Sequence, residues 1–167
     1  MFKIGDTIVY GANGVCKIAD VEEKVLIGEK KKYFVLKPLK SENSTYFVPV
    51  DNEVLLAKMR KLLSKSEIDE LIDSMSNAKA NWIEDESDRK EIYRNIILEG
   101  DHKELIKMLK AIFFEKKERE ANGKRLHASD ERFLKEAEQL LHGEFQCVLN
   151  LNEDELMNYI LERTEMN

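Results

Sequence analysis

Phe2-Lys3-Ile4-Gly5-Asp6-Thr7-Ile8-Val9-Tyr10-Gly11-Ala12-Asn13-Gly14-Val15-Cys16-Lys17-Ile18 is the stretch on which the reading of the fold turns. Residues 7–10 are β-branched or aromatic, the side chains that suit a pleated, half-buried surface. Asn13-Gly14 stands between two such runs and tolerates the positive φ values of a tight hairpin turn, so a hairpin is expected here. Val15, Ile18 and Val21 continue the pattern, and Gly28 marks the next reversal. Tyr33-Phe34-Val35-Leu36-Lys37 reads as a third strand ended by Pro38. Ser44-Thr45-Tyr46-Phe47-Val48 reads as a fourth, ended by Pro49, which cannot donate to a ladder.

Beyond Pro49 the apolar period changes from two to between three and four. Residues 54–57 suggest a short turn and residues 58–61 a last edge strand. Ser64-Lys65-Ser66-Glu67 has the capping-box pattern, a hydroxyl followed three residues on by a carboxylate. It opens a helix with Ile68, Leu71, Ile72 and Met75 on one face. Residues 76–81 form a polar break before Trp82-Ile83 and the acidic run Glu84-Asp85-Glu86. A helix from about Ser87 to Glu99 is expected to turn Ile92, Ile96 and Ile97 inward and to stop at Gly100. Asp101-His102-Lys103-Glu104 starts another, with Leu105, Met108, Leu109, Ile112 and Phe113 at helical spacing. It ends through a charged run at Asn122-Gly123. Ser129 is expected to cap the next helix, with Phe133, Leu134, Ala137, Leu140 and Leu141 inside. Asn152 opens a final acidic helix over residues 156–161. The fold class is therefore α+β: a small antiparallel twisted β-sheet or partial barrel over residues 1–63, then a compact all-α domain over residues 64–167. The boundary falls near residues 62–66 with no Pro/Gly-rich linker, which limits freedom between the domains.

Thr7–Tyr10 with its Phe2-to-Asp6 lead, the Gly14 turn, the strand Tyr33-Phe34-Val35-Leu36-Lys37 and Phe47-Val48-Pro49 together resemble the RNA-polymerase-interacting domain of the CarD/CdnL family of bacterial transcription regulators. A related module occurs in transcription-repair coupling factor. The likeness extends to the helices. It implies a regulator of transcription initiation that docks on the RNA polymerase β subunit and stabilises the open promoter complex. The resemblance places polymerase contacts on the sheet and its edge, at Lys24, Tyr46, Phe47, Val48 and Pro49. Phe47 stands where some members carry arginine. Asn81-Trp82 matches the family's Asn-Trp pair, whose tryptophan contacts the upstream edge of melted promoter DNA.

Trp82, the sole tryptophan, admits two readings: a core anchor at a helix junction, or an apolar wedge at a disturbed base step. Better-known members place basic residues just after that position, where this chain has Glu84, Asp85 and Glu86. Arg89, Lys90 and Arg94 one to two turns on, and Lys124-Arg125 in a later loop, are the candidate phosphate contacts. Each also reads as an ordinary solvated base.

Charge sharpens the question. The net charge is −6, but residues 1–62 hold 11 Lys/Arg against 8 Asp/Glu, a surplus of +3, while residues 63–167 hold 16 against 25, a balance of −9. The field of the helical half repels phosphate, so promoter DNA is expected to be held weakly by this chain alone. The alternative function is a protein-interaction adaptor whose acidic helical domain never touches DNA.

Other classes find little support. His102, His127 and His142 form no His-Glu-x-x-His pair and stand at no metal-ligand spacing. His127 and Asp130 read as a surface cap at a helix start. Gly11-Ala12-Asn13-Gly14 leads into no helix and is no phosphate loop. No enzyme, cofactor, metal or small-molecule substrate is expected. Cys16 and Cys147 lie far apart among apolar neighbours and read as buried reduced thiols. Met1-Phe2-Lys3 leads straight into the strand pattern, and no apolar run approaches the ~20 residues that span a bilayer. A cytoplasmic monomer is expected, with self-pairing through a sheet edge as a second possibility.

Overall fold

The computed structural model describes residues 1–164. The chain forms two compact units, Met1–Leu62 and a second beginning at Leu63.

In the first unit, β1 (Thr7–Tyr10), β2 (Val15–Leu26), β3 (Glu29–Pro38), β4 (Tyr46–Pro49) and β5 (Met59–Lys61) form one antiparallel sheet in the order β4-β3-β2-β1-β5. A one-turn helix, α1 (Glu53–Leu56), precedes β5. Side chains alternate across a strand, so the register fixes which residues share a face. Ile8 faces Cys16, Ile18 faces Leu36, and Phe34 faces Val48. Ile8, Tyr10, Cys16, Ile18, Leu36, Val48 and Met59 form the core of this unit. The register shifts between Ile18 and Asp20, leaving Ala19 without a partner. A bulge of this kind preserves the apolar face while increasing local twist.

β1 and β2 form the antiparallel hairpin expected across Asn13-Gly14, but its turn is longer than an Asn-Gly pair. Residues 11–13 make a single 3-10 turn, and the positive φ values fall on Gly11 (47°) and Gly14 (76°) rather than on Asn13. The Gly14 carbonyl accepts from the Tyr10 N–H at 2.9 Å. Gly14 of the Asn-Gly pair and Gly11 at the other end of the turn supply the backbone freedom, while Asn13 keeps a negative φ.

The second unit contains α2 (Lys65–Ser74), α3 (Glu86–Glu99), α4 (His102–Ala121), α5 (Ala128–Leu149) and α6 (Glu153–Thr164). Ser64 and Glu67 form the expected reciprocal capping box at the start of α2. Gly100 ends α3 in the left-handed conformation, its N–H donating to the Ile96 carbonyl. Ile68, Ile72, Tyr93, Ile97, Ile112, Phe133, Leu141, Phe145, Leu156 and Ile160 are among the residues of one continuous core.

Three expectations about these helices are corrected. Ile92 is 43% exposed, while Arg89, Tyr93 and Ile97 form the buried stripe of α3. Tyr93 meets Phe133 edge-to-face at 5.8 Å between ring centres, which sets the rotation of the helix. Phe113 is likewise exposed on α4, where Ile106 and Ala111 are buried instead. Ser129 does not cap α5; His127 holds the N-cap position and makes no side-chain cap bond.

Cys16 is buried and its thiol is pushed up to about 11 by desolvation. Cys147, expected to be buried, is exposed, because it lies off the apolar stripe that carries Ala137, Leu141 and Phe145. Both thiols are free. Among the described residues no helix is long and apolar enough to cross a membrane.

Candidate functional site

The two units carry separate candidate surfaces. On the sheet unit, β4 is an edge strand that among the described residues pairs with β3 alone, and it leaves one row of backbone groups outside the ladder. Its four residues divide by face. Val48 is fully buried in the core and Tyr46 is half-buried against Tyr10, their ring centres 6.0 Å apart. Those two are therefore available to a partner mainly through the backbone. Pro49 ends the strand half-buried. Phe47 points to the opposite face and is 41% exposed.

Over the Phe47 ring lies Lys24 Nζ, 3.6 Å from its centre. The two residues come from β2 and β4, with β3 between them. A cation over an aromatic face is attracted by the ring quadrupole, worth about 0.5–1 kcal/mol at exposed sites. Lys24 also stands 3.9 Å from Glu22. The structure thus brings together two residues that the sequence could place only on separate strands, as one exposed cationic and aromatic patch beside an open edge.

On the helical unit, Trp82 lies in the irregular segment between α2 and α3, residues 78–85, and not on a helix. Asn81 beside it is exposed, while Trp82 and Ile83 are half-buried and pack against the helical core. Two cations hold this segment. Lys110 of α4 donates to the carbonyls of Met75, Ser76 and Ala78, at 2.9, 3.1 and 2.8 Å. Arg89 of α3 donates to the carbonyls of Ile83 and Glu84, at 2.9 and 3.3 Å.

Arg89 is the largest departure from expectation. Proposed from sequence as a phosphate contact, it is only 2% exposed, and its guanidinium is committed inside the protein. Nε and Nη2 donate to the two carboxylate oxygens of Asp130 at 2.8 and 2.9 Å, a bidentate pair. The same guanidinium lies 4.4 Å from the Trp82 ring centre. Its pKa is raised, first by the hydrogen bond to Asp130. Asp130, read from sequence as part of a surface cap, is fully buried in the first turn of α5, where the helix end favours a negative charge. Arg89 therefore seats Trp82 and cannot reach a phosphate without leaving a buried carboxylate behind.

The remaining bases are outside. Lys90 pairs with Glu86 one turn earlier at 3.0 Å, and that contact holds the Glu86 carboxyl below its usual range. Arg94, Lys124 and Arg125 are exposed. Glu84, Asp85 and Glu86 are exposed beside Trp82, and Asp85 is spent capping α3 through the Asp88 N–H.

Sequence reasoning missed Asp130 and Lys110 as the supports of the tryptophan segment. Asp130 lies 41 residues from Arg89 and Lys110 lies 32 from Ala78. No local pattern links either pair. Among the described residues no cluster of side chains could hold a metal ion.

Comparison with known sequences adds two findings. The family model of the CarD-like/TRCF RID domain matches residues 2–63, which is the sheet unit. A Bacillus subtilis (strain 168) protein named "Putative transcription factor YdeB" is 24% identical over 159 residues, covering 95% of this chain and 99% of its own length. That similarity runs on through the helical unit.

Proposed function

We propose, because residues 2–63 match the family model of the CarD-like/TRCF RID domain, that this chain is a transcription regulator whose sheet unit docks on the RNA polymerase β subunit and whose helical unit stabilises the open promoter complex. The observation that carries the docking is the Lys24–Phe47 pair exposed beside the open edge of β4. Strand addition at such an edge supplies main-chain hydrogen bonds, and the neighbouring side chains supply discrimination. In full-length protein, Phe47→Glu is expected to abolish co-purification with core polymerase. The substitution falls on a surface position, so the fold should persist. Undiminished co-purification would remove β4 from the interface.

The helical part of the reading places Trp82 at the upstream fork. It is supported by the rigid seat that Arg89 and Asp130 give the indole, since an apolar wedge works only if it does not fold away. Arg94, Lys124 and Arg125, with Lys90 once released from Glu86, are the bases left for phosphate. Few bases suffice because docking on polymerase raises the effective concentration of the DNA contact. Trp82→Ala is expected to shorten open-complex lifetime about tenfold, equivalent to ~1.4 kcal/mol, with polymerase binding intact. Unchanged lifetimes on several promoters would exclude the wedge.

A second reading has its own support. With Arg89 buried and Lys90 paired, the surface around Trp82 is acidic, as suits an adaptor for a basic protein partner. Retention on promoter DNA across a salt series, with and without polymerase, separates the two. The wedge requires salt-sensitive retention in the presence of polymerase, whereas the adaptor shows none.

A further inference from the structure

A pit of about 170 Å³ opens on the helical unit between α4, α5 and α6, beside the end of α2. Met75, Leu109, Phe113, Leu134, Met157 and Leu161 wall it. Protein interiors are close-packed, so an apolar hollow of this size forfeits dispersion contacts along its walls. Phe113, Met157 and Leu161 are also exposed at its mouth. An apolar cavity of ~150 Å³ takes up one benzene-sized molecule, which sets the scale of what fits here. Walls contributed by three helices and the end of a fourth suit one compact group, not an extended helix laid in a trough.

The polar groups of the lining decide the chemistry of that guest. Lys110 spends its three donors on the carbonyls of Met75, Ser76 and Ala78, just beyond α2, where the helix end also favours a cation. His142 meets Glu153 through Nδ1 at 2.9 Å, and a neutral ring that donates there keeps Nε2 as an acceptor. Thr164 donates its hydroxyl to the Ile160 carbonyl at 2.8 Å. Glu138 is exposed at the mouth and has no hydrogen-bond or ion-pair partner among the described residues. The lining therefore offers acceptors, with one free carboxylate among them. An anionic guest is repelled by that carboxylate, and a cationic one is held by it.

We propose that this pit is a ligand site for a small apolar amine, with one aromatic or branched aliphatic group in the hollow and its ammonium on Glu138. The site goes beyond polymerase docking and does not rest on it.

The test titrates the full chain, labelled at its methionine methyls, with phenethylamine, phenethyl alcohol and hydrocinnamate, three probes of similar shape and different charge. Ring current from the amine is expected to shift the methyls of Met75 and Met157, while Met59 in the sheet unit stays still. Half-saturation is expected at or below about 10 mM, the range open to so small a ligand. The amine should bind about tenfold tighter than the alcohol, and hydrocinnamate more weakly than either. Glu138→Gln changes an exposed position, so the fold should persist. It is expected to bring the amine down to the affinity of the alcohol and to leave the alcohol unchanged. Leu161→Trp fills the hollow and is expected to remove the shifts with all three probes at an unchanged melting temperature. Still methyls at Met75 and Met157 in the parent overturn the site. Hydrocinnamate binding as tightly as the amine, or an amine preference that survives Glu138→Gln, overturns the assigned ligand class. A parent dimer that Leu161→Trp converts to monomer in sedimentation overturns the proposal too, because a second copy of the chain is then the occupant.

Discussion

Asp130→Ala is expected to lower the stability of the helical unit by roughly 3–5 kcal/mol, the cost of breaking a buried ion pair from one side. The carboxylate is fully buried and accepts both Nε and Nη2 of Arg89. Its removal leaves a guanidinium in the interior that still donates to the neutral Ile83 and Glu84 carbonyls but has lost its counter-charge. That charge must either stay desolvated or drag residues 82–84 outward to reach water. Replacing both partners by apolar residues of similar size, Arg89→Met with Asp130→Leu, should cost far less, because no charge is then stranded. Urea unfolding followed by tryptophan fluorescence measures both variants, since Trp82 is the only tryptophan and lies against Arg89. A single-variant loss below about 1 kcal/mol would mean that the guanidinium finds water without unfolding anything, as an exposed pair does. The same comparison bears on function. The double variant keeps the fold but loses the cation under the indole, so a shortened open complex in that background would trace to the seat of Trp82 and not to global stability.

The second large effect is expected at Glu144. This carboxylate is 1% exposed on the inner face of α5; Oε1 accepts the Leu63 N–H at 2.9 Å and Oε2 lies 2.9 Å from His102 Nε2. It fixes the chain just before the Ser64 cap of α2 and ties it to the start of α4. Glu144→Leu is expected to cost about 3 kcal/mol, because the part-buried Leu63 amide loses its acceptor and the contact with the His102 ring is lost with it. Glu144→Gln keeps one acceptor oxygen and should cost about 1 kcal/mol. Hydrogen exchange at the Leu63 amide discriminates the mechanism from simple loss of packing. Protection should vanish in the leucine variant and survive in the glutamine one. Equal protection in both would show that another group restrains that amide.

These two buried carboxylates mark where reading along the chain stops being informative. The strand run over Thr7–Tyr10, the capping box at Ser64 and the glycine stop at Gly100 were each legible, because each is decided by residues within four positions. The aspect of α3 was not. Its isoleucines at 92, 96 and 97 suggest one face, yet the helix buries Arg89, Tyr93 and Ile97. A guanidinium is acceptable inside because a carboxylate 41 residues away accepts from Nε and Nη2, and a single isoleucine on the surface is ordinary, as Ile92 at 43% exposure is. For the same reason Arg89 was assigned to solvent and to phosphate.

The candidate surface on the sheet was half legible. Lys24 and Phe47 were each named through resemblance, but their stacking depends on three strands lying side by side in a fixed register. The positive φ of Ile27 in the turn between β2 and β3 had no sequence signal beyond Gly28 marking the reversal.

Alternation of side chains, turn glycines and helix caps by themselves determined that this protein is a small antiparallel sheet followed by a helical domain. They also determined that its acidity lies in the second part. Which charges are solvated and which are buried, and therefore which residues can meet a partner, was decided only by the tertiary structure. Local patterns set backbone conformation over a few residues. The cost of burying a charge depends on whether an opposite charge arrives from elsewhere in the chain.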